Sequence, residues 1–396
     1  MLINLRNALM AGKRLPYDAE VEFLESSGTQ YIDTGIVPTT TKTEITFSTP
    51  TPPPSGYMCG SFNANKNRYY PAAFSGSSTR YIDLKNAANT VISQYTNDGN
   101  VHTVAYNATG GACYFDGAAA GTLDTTTLTA SNPIYLFCTS TSTGASGLVS
   151  GRIYSCKIYD ANGNLLRDYI PVRKGTVGYL YDRVSGKLFG NAGTGDFVLG
   201  QDVVPVEYIE STGTQWIDTG LIGRDGYDFE YRFRPMSPLP CGIGGEYDDN
   251  KNCCIGLVRS NGNLAYNYYT PNVIVEVQSL TLGTDYNIKA HLHSGEQYFE
   301  VNGVRGGTES RTGSFVSNYN LYLFAINNAN SPAFNAVMRL HDFTANLNGV
   351  PVRSFRPVRV GTEGAMMDVL TRRVYRNAGT GAFTYGNDLK YPIPAS

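Results

Sequence analysis

The chain has 396 residues, with 31 Lys plus Arg against 33 Asp plus Glu, for a formal net charge of -2. That balance excludes the basic surplus of a nucleic-acid binder. The 41% hydrophobic against 16% charged residues excludes a chain disordered by composition. No apolar run approaches the roughly 18 residues of a helical membrane span.

The first twenty residues stand apart. Leu2, Leu5 and Leu9 recur at helical spacing, and Ile3 and Met10 broaden the stripe. Lys13 and Arg14 follow where a helix dipole favours cations, and Pro16 stops propagation. The pattern predicts a short N-terminal helix over residues 1–20, with Leu2, Ile3, Leu5 and Leu9 anchoring the chain to an assembly. A helix this short is marginal alone in water, so it needs a surface to pack on. The same stretch is a poor secretory signal, since Arg6 interrupts an apolar part that is already short.

Then a long repeat begins. VEFLESSGTQYIDTG (21–35) returns as VEYIESTGTQWIDTG (206–220), with 11 of 15 positions identical and a shift of 206 − 21 = 185. The same shift aligns NANKNRYY (63–70) with DDNKNCCI (248–255). Later, IYLFCTSTS (134–142) matches LYLFAINNA (321–329), and GNAGTGDFVLG (190–200) matches RNAGTGAFTYG (376–386). A period this long is a whole domain in tandem, not a solenoid unit. The expected domains are 21–200 and 206–396, with residues 201–205 as the linker.

Within each copy the runs are short, aromatic or β-branched, and bounded by Gly, Asn, Asp or Pro, as in TEITFST (43–49), VHTVAYN (101–107) and GRIYSCKIYD (151–160). Asp116-Gly117 and Asn302-Gly303 read as hairpin turns. With no helical period to cover a sheet, sheet must bury sheet. The expected fold class is all-β, two tandem antiparallel β-sandwich (jelly-roll) domains preceded by the short helical segment.

Gly99-Asn-Val-His102-Thr-Val-Ala-Tyr106, then Tyr114-Phe-Asp-Gly117, then Gly151-Arg-Ile-Tyr-Ser-Cys-Lys-Ile-Tyr159, resemble the core strands of laminin G-like, concanavalin A-like jelly rolls. The resemblance covers each whole repeat. The opening YIESTGTQWIDTG and closing NAGTG motifs resemble modules of gut bacterial and phage or prophage proteins. Two departures stand out. The tryptophan expected before His102 is missing, and Asp285-Tyr286-Asn287-Ile288 replaces that motif in the second copy.

Relatives of this fold include glucanases, which carry carboxylates at alternate positions of one strand. Asp228 and Glu230 share a face, but the first copy does not keep the pair, so no catalytic residue is assigned. The four histidines show no Cys, His or carboxylate at metal-ligand spacing. The seven cysteines read as packed free thiols. Tyr31 and Trp216, at one position of the repeat, read as core. Asp33 and Asp218, in IDTG, read as turn-closing residues.

Aromatic faces beside amide and guanidinium groups are what a glycan needs. The candidates are Asn65, Asn67, Arg68, Tyr69 and Tyr70 in the first copy and Tyr268 and Tyr269 in the second. Asp248 and Asp249 are the candidates for Ca²⁺, which takes hard oxygen ligands; no other cofactor is expected.

The functional expectation is a non-catalytic virion structural or adhesion protein of phage or prophage type, assembled in a host cytoplasm, with homo-oligomer or virion partners and a cell-surface glycan as ligand. The alternative is an extracellular or surface lectin-like protein, with a glycoside hydrolase third. If the first residues anchor an assembly, deleting residues 1–16 lowers the oligomeric mass measured by light scattering; an unchanged mass rejects the anchor.

Overall fold

The computed structural model describes residues 15–39, 41–51, 55–63, 67–74, 79–84, 91–96, 98–107, 111–122, 130–236, 240–248, 251–269, 274–390 and 393. It forms two compact units that divide between Asp202 and Val203. Among the described residues there is no α-helix, and no helix long and apolar enough to cross a membrane. Leu2, Ile3, Leu5 and Leu9, with the helix expected over them, lie outside the described residues.

The first unit pairs an 11-stranded sheet with an 8-stranded one. The larger runs Ala118–Thr122, Ala112–Phe115, His102–Asn107, Lys42–Ser48, Ser150–Tyr159, Leu165–Lys174, Val177–Asp182, Lys187–Phe189. The smaller runs Gly144–Ser146, Thr139–Thr141, Gly56–Asn63, Asn67–Phe74, Thr79–Leu84, Val91–Thr96. The second unit repeats both sheet sizes. Its larger sheet is built on Glu296–Val301, Tyr286–His293, Tyr227–Pro235, Met338–Leu347 and Val350–Val360, and its smaller one on Val316–Leu323, Cys241–Asp248, Lys251–Val258 and Asn263–Tyr268. Pairing is antiparallel except where Thr139–Thr141 and Ile326–Asn328 run parallel to the equivalent strands Gly56–Asn63 and Cys241–Asp248.

Alternation makes the layers. In Tyr227–Pro235, Tyr227, Phe229, Tyr231 and Phe233 are buried, while Asp228, Glu230, Arg232 and Arg234 point outward. Burying one such ring stabilises the fold by roughly 1.5–3 kcal/mol. The two inner faces meet through aromatic contacts, Phe47 on Phe74 (5.9 Å) in the first unit and Tyr266 on Phe299 (4.7 Å) in the second. The Asp116-Gly117 and Asn302-Gly303 turns have both residues at positive φ, as the tight hairpin requires.

All seven cysteines are buried free thiols. Burial pushes Cys113 and Cys138 up to about 12 and Cys241 and Cys254 up to about 11.

Two short segments differ from the sequence reading. Ala19–Glu20, assigned to the anchor, pairs with Val172 and Arg173. Val203–Pro205, assigned to the linker, pairs with Val358 to Val360 in the same way. Strands of two or three residues are too short to show a period. Each is fixed from outside, as where Arg173 makes a two-pronged bond to Asp202 (2.7 and 2.6 Å).

The opening and closing motifs of each repeat clasp one another. Asn191 Oδ1 accepts the N–H of Tyr31 (3.1 Å) and of Gly193 (2.8 Å), and its Nδ2 donates to Gly195 O. Asn377 does the same with Trp216, Gly379 and Gly381. Tyr31 and Trp216 are half-buried rather than core, stacked on Tyr135 (5.0 Å) and Tyr322 (4.0 Å). NAGTG is therefore a closing latch, not an anion cradle. A Cβ on Gly379 would lie 2.1 Å from Thr214 O, and one on Gly193 2.1 Å from Thr29 O. Gly379→Ala is expected to cost about 1–3 kcal/mol through forced displacement, seen as a melting point lowered by several degrees; an unchanged melting point means the latch yields freely.

Candidate functional site

The residues nominated as a glycan rim do not form one. Tyr69 is fully buried, bonded to the Thr43 hydroxyl and packed on Tyr106. Tyr70 is buried with its ring 4.2 Å from that of Tyr57. Tyr268 is buried and donates to Asp225 (2.6 Å). Tyr269 is half-buried against Phe315. For Tyr69 and Tyr70 the physical reason is alternation, which sends one ring to the core and the other to the opposite face; Tyr269 follows its strand at φ 64° and packs on the same Phe315 as Tyr268. Arg68 is half-buried, Asn67 is described by its backbone alone, and Asn65 lies outside the described residues. So does Asp249, and only the backbone of Asp248 is described, which leaves the calcium expectation there outside the description. Asp33 and Asp218 each accept the N–H two residues on (2.8 Å), the turn-closing role read from IDTG.

The structure opens a different place, on the outer face of the smaller sheet of the second unit. A cavity of about 270 Å³ is lined by Glu246, Asn252, Cys254, Asn267, Ile326 and Phe334, among others. Its floor is polar. Glu246, paired in register with the core residue Cys253, turns its fully buried carboxylate to the inner face, where it accepts a bond from the Ser317 hydroxyl (2.8 Å). Asn267, opposite Cys254 in register, is buried with no partner for its Oδ1 among the described residues. An unpaired buried amide oxygen costs about 1–3 kcal/mol, so a ligand hydroxyl arriving there recovers that loss. Gly223 makes room for the carboxylate, since a Cβ there would lie 2.4 Å from Glu246 Oε1.

Comparing the two units explains why the second unit's face opens there. The hairpin between Asn63 and Asn67 is one residue longer than that between Asp248 and Lys251, so Cys253 matches Tyr69 and Cys254 matches Tyr70. Where the first unit fills its outer face with the Tyr70 ring, the second has a thiol. The wall differs too. Tyr57 N donates to Gly147 O, and the equivalent bond runs from Gly242 N to Phe334 O. Both acceptors are left-handed, Gly147 at φ 60° and Phe334 at φ 53°. A left-handed conformation suits glycine and costs a residue with a Cβ roughly 1–2 kcal/mol. Phe334 nonetheless holds an aromatic ring, 52% exposed, at the cavity. Sequence reading could have found this pair of changes by aligning the repeats with the one-residue loop difference included.

The histidines also have partners that sequence spacing missed, one in the preceding loop and the others brought close by strand pairing. His102 lies 2.9 Å from Asp98 and 2.7 Å from Asp116. His291 and His293 share Asp228.

No family model matches the sequence, and no curated protein matches it significantly. Among solved structures, the chain is similar to mouse laminin alpha1 domains LG4-5, at 12% identity and a TM-score of 0.32 over 97% of this chain and 99% of that one. It is also similar to the LG1-3 region of the laminin alpha2 chain, at 10% identity and 0.31 over 93% and 66%. A presumed carbohydrate binding protein from Bacteroides ovatus is similar at 11% identity and 0.35 over 96% of each chain.

Phe334→Gly is expected to raise the stability of the second unit by about 1 kcal/mol by relieving the left-handed residue, measured by urea denaturation. A loss of stability would show that the ring is held there for packing instead.

Proposed function

We propose that the second unit is a carbohydrate-binding module and that the protein is non-catalytic, seating one sugar ring in the outer-face cavity. The observation that carries this is the opposition of a strained, exposed Phe334 ring to the buried amide of Asn267 across the cavity. A sugar ring has an apolar C–H face, which stacks on an aromatic ring, and hydroxyls, which donate to carboxylate and amide oxygens. The volume lies at the lower edge of ordinary ligand pockets, roughly 300–1,000 Å³, which favours a single ring or chain end. Among the described residues lining the cavity the one acidic residue, Glu246, turns its carboxylate to the inner face. Glycoside hydrolysis in its usual form uses two, one as acid and one as base or nucleophile, so this site supports binding without turnover.

In this reading the protein serves recognition at a glycan-bearing surface. The virion role rests on the sequence alone, and its proposed anchor, Leu2 to Leu9, lies outside the described residues.

A glycan array followed by calorimetry on the full chain tests the proposal. Wild type is expected to bind a defined terminal sugar, and Asn267→Ala and Phe334→Gly each to weaken it by about tenfold, the worth of one buried hydrogen bond or one stacking contact. The bound sugar should be recovered uncleaved. Array silence, or binding indifferent to both changes, rejects the cavity as the site.

A further inference from the structure

On the larger sheet of the second unit, two adjacent strands bring three metal-ligating side chains to one point. Tyr286–His293 buries Tyr286, Ile288, Ala290 and Leu292, which leaves His291 and His293 on the outer face. Tyr227–Pro235 leaves Asp228 on that face, directly opposite His291 in the ladder. His291 Nδ1 lies 2.6 Å from one Asp228 oxygen and His293 Nε2 lies 3.1 Å from the other. The two imidazole rings are parallel, 6° apart in plane with centroids 4.0 Å apart. One ligand atom from each of the three residues lies within 4.8 Å of the others.

We propose that Asp228, His291 and His293 form a binding site for a divalent transition-metal ion of the zinc class. Two imidazoles and one carboxylate are donors that zinc, iron, nickel and copper accept, whereas calcium and magnesium take oxygen. Ligand strands locked in register hold the donors close to their bound positions before the ion arrives. On binding, each neutral ring turns its lone pair to the ion and carries its proton on the far nitrogen. For His291 that nitrogen is Nε2, 3.9 Å from a Glu296 oxygen, which places a carboxylate behind a metal-bound histidine. Glu296 is itself held by Arg305, whose guanidinium lies 3.6 Å above the Tyr298 ring that stacks on His291. Beside the triad an open groove of about 420 Å³, lined by Glu230, Lys289, Tyr298 and Asn346 among others, leaves coordination positions for water or an exogenous ligand.

The first unit does not carry this set. The hairpin bonds from Asp116 N to Thr103 O and from Asn302 N to Asn287 O put the two sheets in register. By that register Asn107 and Lys42 occupy the places of His291 and Asp228. A lysine where the carboxylate should be excludes the ion, so the first unit is an internal control.

The test is calorimetry of tag-free, EDTA-treated full chain with ZnCl₂ and, separately, CaCl₂. One zinc per chain is expected, with calcium silent. The paired change His291→Gln with His293→Gln, and the isosteric Asp228→Asn alone, should each weaken zinc binding by about tenfold or more, and His102→Gln should leave it unchanged. Zinc should also raise the melting point of the wild type and not of Asp228→Asn, a readout that stands if the double variant fails to fold. Absence of zinc binding, equal binding of calcium, or undiminished binding by Asp228→Asn overturns the proposal.

Discussion

Each unit is held shut by one asparagine. Asn191 joins the backbone of Tyr31 to its own loop, 160 residues on in the chain, and Asn377 does the same for Trp216. Around each, Gln30 and Gln215 add a second tie, donating to Asp196 O and Ala382 O. A sandwich built from non-local strand pairs has a large closure entropy to overcome before its contacts form. A short polar side chain that bonds three backbone groups at once reinforces the two-residue strand pairs, Leu24 and Glu25 with Val198–Leu199 and Ile209–Glu210 with Thr384–Tyr385, that join the ends. This is why the repeat is nearly invariant at its two ends and drifts between them. The ends must fit each other, while the outer faces are free to change.

That freedom is visible on the smaller sheet. The ladder, the left-handed turn and the parallel strand are kept in both units. Three side chains differ: Tyr70 becomes Cys254, Gly147 becomes Phe334, and Ser61 becomes Glu246. The first removes a ring and opens space. The second places a ring at the edge at a backbone cost that the fold avoids in its first copy. The third adds a carboxylate on the inner face, bonded to Ser317. Strain that the same scaffold shows how to avoid marks a position chosen for something other than stability.

Much of the fold was readable before any coordinates. The repeat, the turns at Asp116-Gly117 and Asn302-Gly303, and the turn-closing Asp33 and Asp218 are local signals with a local cause. The candidate site was not readable in the same way. Tyr69 and Tyr70 follow a polar loop and so resemble a rim, but strand alternation consigns the first to the core and packs the second against Tyr57. Cys254 looks like the counterpart of Tyr69 at a uniform shift, and only the shorter hairpin moves it onto the outer face. His291 and Asp228 are 63 residues apart, so nothing in their spacing joins them. Their meeting is a property of strand register, which a single sequence does not print.

The two outer faces of the second unit follow from one rule applied to two kinds of strand. Where a strand alternates aromatic with charged residues, as in Tyr227–Pro235, its outer face is a field of ion pairs, Glu230 with Lys289 (3.0 Å) and Arg234 with Asp285 (2.7 Å). Exposed pairs of this kind contribute about 0–1 kcal/mol each, so stability alone accounts for little of their arrangement. Histidine is no better than threonine or valine on a pleated surface, yet two histidines stack side by side over a single carboxylate. On the smaller sheet the outer residues are amides, a thiol and aliphatic chains, which favour a neutral polar ligand in a hollow. The charged face gathers donors for a cation and the uncharged face shapes a pocket for hydroxyls. Both sites arise from side chains that the shared backbone permits and the first unit lacks.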